Sequence, residues 1–222
     1  MNPEPGGDRE TGADPQSTYD RIAAHFSKTR EYAWPEVESF LDGRAATRAL
    51  DLGCGNGRHA ELLAERADAV VGVDLSRALL REAVSRARDR GFDASVSFVH
   101  GDAASLPIAT DAVGIAVYVA TLHHLPARED RIRSLDELAR VLAPGGTALV
   151  SAWSTAHDRF DREEGFDTTV DWTLPGGETV PRYYHIYSPA EFEADLAGSD
   201  LEPVEVDVSS GNCYATVTAS GD

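Results

Sequence analysis

A glycine-rich segment holds the residues of this sequence best suited to bind a charged ligand. It runs Asp51-Leu52-Gly53-Cys54-Gly55-Asn56-Gly57 and lies where a short apolar run ends and an amphipathic stretch begins. Glycines let the backbone turn tightly and approach a ligand closely, and a helix that follows would direct its first amides toward an anionic group. The acid in front of the glycines suits a positively charged amino group and would repel a pyrophosphate.

The residue spacing after the glycines argues against a dinucleotide. In the fingerprint G-x-G-x-x-G/A, the sixth position packs the helix against the strand. Counted from Gly53, that position is Arg58, which is too bulky for this role. The sequence therefore disfavours a nicotinamide cofactor.

Two further acids follow later apolar runs. Asp74 closes the second of these runs, where a carboxylate can accept both hydroxyls of a ribose. Asp102 closes the third, in Gly101-Asp102-Ala103, where it can accept from an adenine amino group. One acid at a strand end is usually a helix cap or a turn residue. Three acids at the ends of successive strands, Asp51, Asp74 and Asp102, indicate one shared ligand site.

The elements that would position these acids alternate between strand and helix. Apolar runs predict strands at 48–51, 69–74, 96–100, 113–119 and 147–153, and amphipathic stretches predict helices near 58–66, 77–90 and 128–142. This alternation predicts an α/β fold with a doubly wound, Rossmann-like, mainly parallel sheet. A helix at 188–197 and strands at 204–208 and 214–218, joined by a turn at 209–212, would add an antiparallel edge hairpin and bring the sheet to about seven strands.

The chain ahead of the sheet divides into a tail and two helices. Residues 1–16 are rich in Pro, Gly and Asp and predict a disordered acidic tail. Apolar residues at helical spacing follow Ser17, and Pro35 suits the first turn of a short second helix. Residues 17–222 are expected to form a single domain, with 154–187 as an insertion on the substrate side.

The net charge of the chain is strongly negative. It is formally −18 at pH 7, and Lys28 is the single lysine. Because Asp and Glu are spread along the whole chain, this composition predicts adaptation to molar salt, as in a halophilic archaeon; the alternative is an ordinary acidic enzyme. No run approaches the roughly 20 apolar residues of a membrane span, so a cytoplasmic protein is expected. The two cysteines form no zinc-site pattern, and no bound metal is expected.

The glycine loop and the strand-end acids together resemble the Rossmann-type S-adenosylmethionine-dependent methyltransferases over about residues 45–155. The resemblance implies S-adenosyl-L-methionine as the cofactor and assigns roles along it. Asp51, Gly53 and Gly55 would contact its amino-acid end, Asp74 the ribose, Asp102 with Ala103 the adenine, and Val119 with Ala120 the methionine moiety, with Tyr19 and Leu75 as further contacts.

Three other segments resemble the tRNA wobble-uridine carboxymethyl methyltransferases. They are residues 19–30 with Trp34-Pro35, Ala120-Thr121-Leu122-His123-His124, and Arg182-Tyr183-Tyr184-His185-Ile186-Tyr187 with Gly211-Asn212-Cys213. The histidine pair is common among small-molecule methyltransferases, so the first and third segments discriminate more. This resemblance implies tRNA carrying 5-carboxymethyluridine as the acceptor. It also implies a small zinc-binding activator subunit, which we expect at the edge strand 96–100.

A carboxylate acceptor has a pKa of about 4 and is already ionised at neutral pH, so no general base is needed. Arg30 and Arg182 are the candidates to orient it, because the guanidinium fork matches a carboxylate. Arg30 could instead hold the carboxylate of the cofactor. His123 or His124 is expected as a wall of the pocket, Trp172 or Tyr183 as a surface for base stacking, and Tyr184 as a further substrate contact.

Each of these residues also has a purely structural interpretation. Aromatic residues of the first helix could pack on the sheet, one of the two histidines could be structural, and either arginine could be a solvated surface residue. Two other functions remain open at this point. One is a methyltransferase acting on a small molecule such as a quinone precursor, and the other is a cofactor-binding interaction protein without catalysis.

Overall fold

Strands and helices alternate through most of the chain in the computed structural model, which describes residues 14–220. The strands are β1 Ala46–Leu52, β2 Ala67–Asp74, β3 Val96–His100, β4 Val113–Val119, β5 Leu142–Trp153, β6 Phe166–Thr173, β7 Thr179–Ile186, β8 Leu201–Ser209 and β9 Asn212–Ala219. The helices are α1 Pro15–Lys28, α2 Pro35–Leu41, α3 Arg58–Ala64, α4 Arg77–Arg90, α5 Arg128–Val141 and α6 Pro189–Ala197, with a 3-10 turn at Leu122–His124.

The main sheet has seven strands in the order β3-β2-β1-β4-β5-β9-β8. Its first five strands pair in parallel, and β9 and β8 complete it in antiparallel fashion. This confirms the predicted doubly wound sheet with an antiparallel edge hairpin. Ser210 and Gly211 at the tip of that hairpin both have positive φ, 51° and 76°, as a tight two-residue hairpin turn requires.

The central strands are buried on both faces. In β1, Leu50 packs into the larger apolar cluster, which includes Leu135 of α5 and Phe192 of α6, while Ala49 packs on the other face with Val37 of α2. Because helices cover both faces of a parallel sheet, such strands are nearly continuous in apolar residues. That property made β1 to β5 predictable from the sequence.

Helix α1 packs near the carboxyl ends of the parallel strands, where the candidate ligand residues lie. It begins after Asp14, whose side chain accepts from the amide of Ser17 at 3.0 Å. Residues 15 and 16, which we had assigned to the tail, therefore belong to this helix, and residues 1–13 of the predicted tail lie outside the described residues. Asp20 of α1 accepts from the Ser76 hydroxyl and the Ala78 amide, which fixes α1 to the start of α4.

The segment 154–187 contains two strands that the sequence analysis did not predict. β6 and β7 pair in antiparallel register from Phe166↔Ile186 to Thr173↔Thr179 and form a separate two-stranded sheet. The division of the chain into tail, domain and insertion stays a prediction. No helix within residues 14–220 is long and apolar enough to cross a membrane.

Candidate functional site

A cavity of about 660 Å³ opens at the carboxyl ends of the parallel strands. Open α/β sheets bind ligands at this edge, near the point where the strand order reverses, which here lies between β1 and β4. Among the predicted site residues, the cavity is lined by Tyr19, Arg30, Gly53, Gly55, Asp74, Leu75, Asp102, Ala103, Val119, His123, His124, Arg182 and Tyr184. Asp51, Trp172 and Tyr183 do not belong to this lining.

The glycine loop presents its backbone to the cavity. A Cβ atom at Gly53, where φ is +71°, would lie 2.1 Å from Oγ1 of Thr121, so only glycine fits there. A Cβ atom at Gly55, where φ is +53°, would meet nothing within 4 Å. The loop therefore packs tightly on its protein side and leaves open space on its cavity side.

Asp51 and Asp74 are acids in unusual environments. Asp51 is 1% exposed, its Oδ2 atom has no hydrogen-bond partner among residues 14–220, and burial raises the pKa of its carboxyl to about 7. Asp74 accepts from the amides of Gly55 and Ser76 at 2.8 and 2.7 Å. Burial raises the pKa of Asp74 to about 6, although these two hydrogen bonds oppose the shift. Asp74 thus braces the glycine loop.

Asp102 differs from the other two acids in its environment. It is exposed at the cavity edge, and its Oδ1 atom accepts from the amide of Ala104 at 2.9 Å. This contact is the turn role that a single strand-end acid often has. A contact of Asp102 with a ligand stays a prediction.

Both histidines of the pair line the cavity, and both are neutral. His124 Nδ1 lies 3.0 Å from the carbonyl oxygen of Tyr183 and therefore donates to it, so Nε2 accepts from the Tyr19 hydroxyl at 2.8 Å. Burial lowers the pKa of His124 to about 4 and that of His123 well below its usual value. His123 Nδ1 accepts from the amide of Trp153 at 2.9 Å. In each imidazole the nitrogen that can accept a proton already accepts a hydrogen bond, from Tyr19 in His124 and from Trp153 in His123, so neither ring is free to act as a general base.

Arg30 and Arg182 converge on one side of the cavity. Their guanidinium carbons lie 5.7 and 4.9 Å from the ring centre of Trp172. No carboxylate of residues 14–220 lies within 4.0 Å of either guanidinium group, and Nε of Arg182 is buried without a partner there. Burial lowers the pKa of Arg30, and the nearby charge of Arg182 acts in the same direction. Two guanidinium groups without a carboxylate partner in residues 14–220 are suited to bind an anion.

Tyr183 and Trp172 do not lie where we expected the substrate base to stack. Successive side chains of a strand point to opposite faces, so Tyr183 lies away from the face that carries Arg182 and Tyr184. Its hydroxyl donates to Asp167 at 2.7 Å. Trp172 packs behind the arginines, and its Nε1 donates to His25 at 3.0 Å. The structure therefore gives Trp172 a supporting position and does not bring Tyr183 to the cavity.

Two residues of the site escaped the sequence analysis. Asn56 donates from Nδ2 to the carbonyl oxygens of Ser27 and Arg30, at 3.2 and 3.0 Å, and so ties the glycine loop to the end of α1. Thr121 closes against Gly53. A role for Asn56 could have been predicted from its position between two glycines of the loop. The contact of Thr121 with Gly53 could not, because it arises only in the folded chain.

Comparison with known proteins identifies the family. Residues 50–150 match the Methyltransferase domain family. A protein of Encephalitozoon cuniculi described as a methyltransferase is 33% identical over 76% of this chain and 78% of its own length. This chain belongs to the S-adenosylmethionine-dependent methyltransferases. As a member of this family it is a methyltransferase enzyme.

Other relatives of this methyltransferase have a more specific name. The tRNA (carboxymethyluridine(34)-5-O)-methyltransferase of Arabidopsis thaliana is 35% identical over 77% of this chain. The Saccharomyces cerevisiae protein of the same name is 32% identical over 74% of it. The chain spans 39% of the length of the first relative and 58% of the second.

Solved structures of methyltransferases share the fold. The CcbJ methyltransferase from Streptomyces caelestis superposes with a TM-score of 0.75 at 22% identity, covering 94% of this chain and 100% of its own. A structure from Haloferax volcanii, solved as a complex with a methyltransferase activator, gives a TM-score of 0.69 at 17% identity, covering 94% of this chain and 99% of the matched one. These similarities confirm the fold of the methyltransferase.

Proposed function

We propose that this methyltransferase esterifies the carboxylate of 5-carboxymethyluridine at the wobble position of tRNA, with S-adenosyl-L-methionine as methyl donor. The observation that carries the proposal is the convergence of Arg30 and Arg182 on the cavity without a carboxylate partner in residues 14–220. An anionic acceptor would supply that partner. The two relatives named for this reaction support the same acceptor.

The residues around the glycine loop fit S-adenosyl-L-methionine. Asp51 does not line the cavity, but it lies directly before the glycine loop, and its oxygen without a partner in residues 14–220 suits the cationic amino group. The open space at Gly55 permits close approach of the ligand. Asp74 can accept from the ribose hydroxyls while its oxygens still hold the loop. When bound, the cofactor supplies an electrophilic methyl group on a positively charged sulfur. The further contacts that we assign to it are Tyr19, Leu75, Asp102, Ala103, Val119 and Ala120, all of which line the cavity.

The two arginines bind and orient the acceptor. A carboxylate is ionised at neutral pH, so the protein has no proton to remove before transfer. Arg30 and Arg182 need only hold the group so that one of its oxygens stays free to attack in line. The state of His124 agrees with this chemistry, because both of its ring nitrogens are already hydrogen-bonded. A phenolic acceptor such as a quinone precursor would need a base in that position.

The cover over the cavity excludes water from the transfer. Helix α1 contributes Tyr19 and Phe26, and hairpin β6–β7 contributes Tyr184, all at the cavity surface. Tyr19 and Phe26 pack edge to face at 5.5 Å, and Phe26 packs on Trp172 at 5.4 Å. Opposite charges are neutralised as the carboxylate oxygen attacks the sulfonium methyl, so a dry site favours the transition state.

A methyl-transfer assay tests this function. The protein, with its activator, is given labelled S-adenosyl-L-methionine and tRNA that carries 5-carboxymethyluridine. We expect label in the tRNA that mild base releases, as it does from a methyl ester. The matched control is the same tRNA with unmodified uridine at the wobble position. Transfer to a phenolic small molecule, with none to the carboxymethylated tRNA, would replace the proposal with the small-molecule alternative.

We propose that a small zinc-binding activator subunit pairs with β3. This strand lies at one edge of the sheet, where no other strand of residues 14–220 pairs with its outer backbone groups. The Haloferax volcanii protein of similar fold was solved as a complex with a methyltransferase activator. Hydrogen exchange measured with and without the activator should slow at the amides of Val96–His100. The opposite edge strand, β8, is the internal control, and protection at β8 alone would overturn the placement.

A further inference from the structure

We propose that Tyr32 is a stacking surface for a nucleobase that flanks the wobble uridine, outside the cavity. This inference rests on the proposed function and extends it to a second contact with the RNA. Tyr32 is 80% exposed, and among the large apolar side chains that residues 14–220 expose it is the one aromatic group. The others are three valines of β8, Val204, Val206 and Val208.

The backbone around Tyr32 is held in place. The carbonyl oxygen of Arg30 accepts from Asn56 at 3.0 Å, that of Glu31 from Arg86 at 2.6 Å, and that of Tyr32 from Arg58 at 3.4 Å. These three donors belong to the glycine loop, α4 and the start of α3. The exposed ring therefore projects from a fixed turn, which keeps the entropic cost of contact with a ligand low.

The same turn forms part of the mouth of the cavity. Arg30 and Trp34, two residues before and two after Tyr32, both line it. The Arg58 guanidinium carbon lies 5.3 Å from the ring centre of Trp34. No carboxylate of the described chain lies within 4.0 Å of Arg58. Tyr32 thus lies beside Arg30 and the partly buried Arg58, two cationic residues at the opening that could contact a phosphate. Its acidic neighbour Glu31 is paired with Arg90.

The chemistry of the acceptor explains why such a ring is useful. A wobble uridine that enters the cavity must leave the base stack, and this exposes a face of its neighbour. An aromatic ring can replace the lost stacking whatever the identity of that base. Charged groups at Arg30, Glu31 and Arg58 flank Tyr32, so the exposed apolar surface there is confined to one ring, which suits a single base better than the apolar core of a protein interface.

Binding of an RNA hairpin tests the inference without requiring turnover. The probe is a fluorescent anticodon stem-loop with 5-carboxymethyluridine, titrated with the complex of protein and activator in the presence of S-adenosylhomocysteine and followed by anisotropy. Tyr32→Ala should weaken binding by about 5- to 150-fold, the range of base–aromatic stacking. Tyr32→Phe should bind within about twofold of the unaltered protein, since its ring is retained. Val204→Ala on β8 is the matched control for loss of an exposed apolar group, with no change expected.

Removal of single bases identifies the contact. Two further RNAs carry an abasic site on the 5′ or the 3′ side of the modified uridine. On one of them, Tyr32→Ala should cause no additional loss, because the base that it would stack on is gone. The inference would be overturned if Tyr32→Ala weakened binding of all three RNAs equally, or if it weakened binding of the activator and not of the RNA.

The same measurements separate this inference from the proposed function. If the unaltered protein binds the stem-loop but does not methylate it, the proposed function fails while the stacking result stands. If the protein methylates the RNA and Tyr32→Ala binds it equally well, only the stacking inference fails. A protein that binds no RNA overturns both.

Discussion

The guanidinium carbon of Arg182 lies 4.9 Å from the ring centre of Trp172 and the side chain is almost fully buried, with 8% of the residue exposed. A buried guanidinium group is costly unless its donors find partners, and Nε of Arg182 has none within residues 14–220. An aromatic ring compensates for part of this cost through a cation–π contact. A bound carboxylate would compensate for the rest, which makes Arg182 the strongest candidate for the acceptor.

Replacement of Arg182 should affect transfer and spare the cofactor. We expect Arg182→Ala to lower kcat/KM for the acceptor by about 2–3 kcal/mol of transition-state stabilisation, the scale of a hydrogen bond to a charged group. Arg182→Lys keeps the charge and loses the fork, so it should lie in between. Calorimetry should show cofactor affinity unchanged in both variants. A kcat/KM within about threefold of the unaltered enzyme in Arg182→Ala would remove Arg182 from the acceptor site.

Arg30 tests which carboxylate each arginine holds. We expect Arg30→Ala to reduce transfer on the same scale as Arg182→Ala, with cofactor affinity retained, because both guanidinium groups face the same part of the cavity. The two affinities are measured side by side in the single variants. A loss of S-adenosyl-L-methionine affinity in Arg30→Ala alone would assign Arg30 to the cofactor and leave Arg182 as the acceptor ligand.

Cofactor affinity should depend on pH through Asp51. Its carboxyl has a pKa of about 7 because it is buried, and the ionised form is the one that pairs with a cationic amino group. Affinity should therefore rise with pH up to about 7, by up to about tenfold per pH unit, and fall again above about 8, where the amino group of the ligand loses its proton. Binding at pH 7 should release about half a proton per ligand, because a carboxyl of pKa about 7 is half protonated there, and calorimetry in buffers of different ionisation enthalpy detects this. Asp51→Asn should remove this step and leave only the one near pH 6 that belongs to Asp74.

The two glycines of the loop should fail in different ways. A methyl group added at Gly53 would collide with Thr121, so Gly53→Ala should lower the melting temperature. At Gly55 the added group would enter open space, so Gly55→Val should stay folded, with about 1–2 kcal/mol of backbone strain, and lose cofactor binding. Thermal melts with and without cofactor separate these outcomes. Normal cofactor affinity in Gly55→Val would contradict the placement of the ligand beside the loop.

The sequence predicted the sheet well because its central strands carry a strong local signal. β3 and β4 begin and end where the apolar runs at 96–100 and 113–119 do. The hairpin β6–β7 gave no such signal, because neither strand contains an apolar run: β6 has no fully buried residue, and the buried residues of β7 include the polar Arg182 and His185. The adaptation to molar salt stays a prediction, because it concerns the surface and its solvent rather than the fold.

The site was predictable for the residues whose position is set by the backbone of the sheet. The glycines and the strand-end acids occupy fixed positions at the end of a parallel sheet, so their neighbourhood follows from the topology. The side-chain directions on β7 did not follow, because its strand character was missed, so the sequence could not show that Tyr183 does not line the cavity. The neutral state of His124 follows mainly from its burial, which lowers its pKa and which only the folded chain provides.

The most direct test of a carboxylate acceptor compares two anticodon stem-loops that differ in one group. One carries 5-carboxymethyluridine and the other 5-carbamoylmethyluridine, a neutral amide of nearly the same shape, at the wobble position. In single-turnover transfer with S-adenosyl-L-methionine and the activator, we expect methyl ester on the first and no methylation of the second, with Arg182→Ala lowering the rate on the first alone. Equal transfer to both, or methylation of neither, would contradict the account.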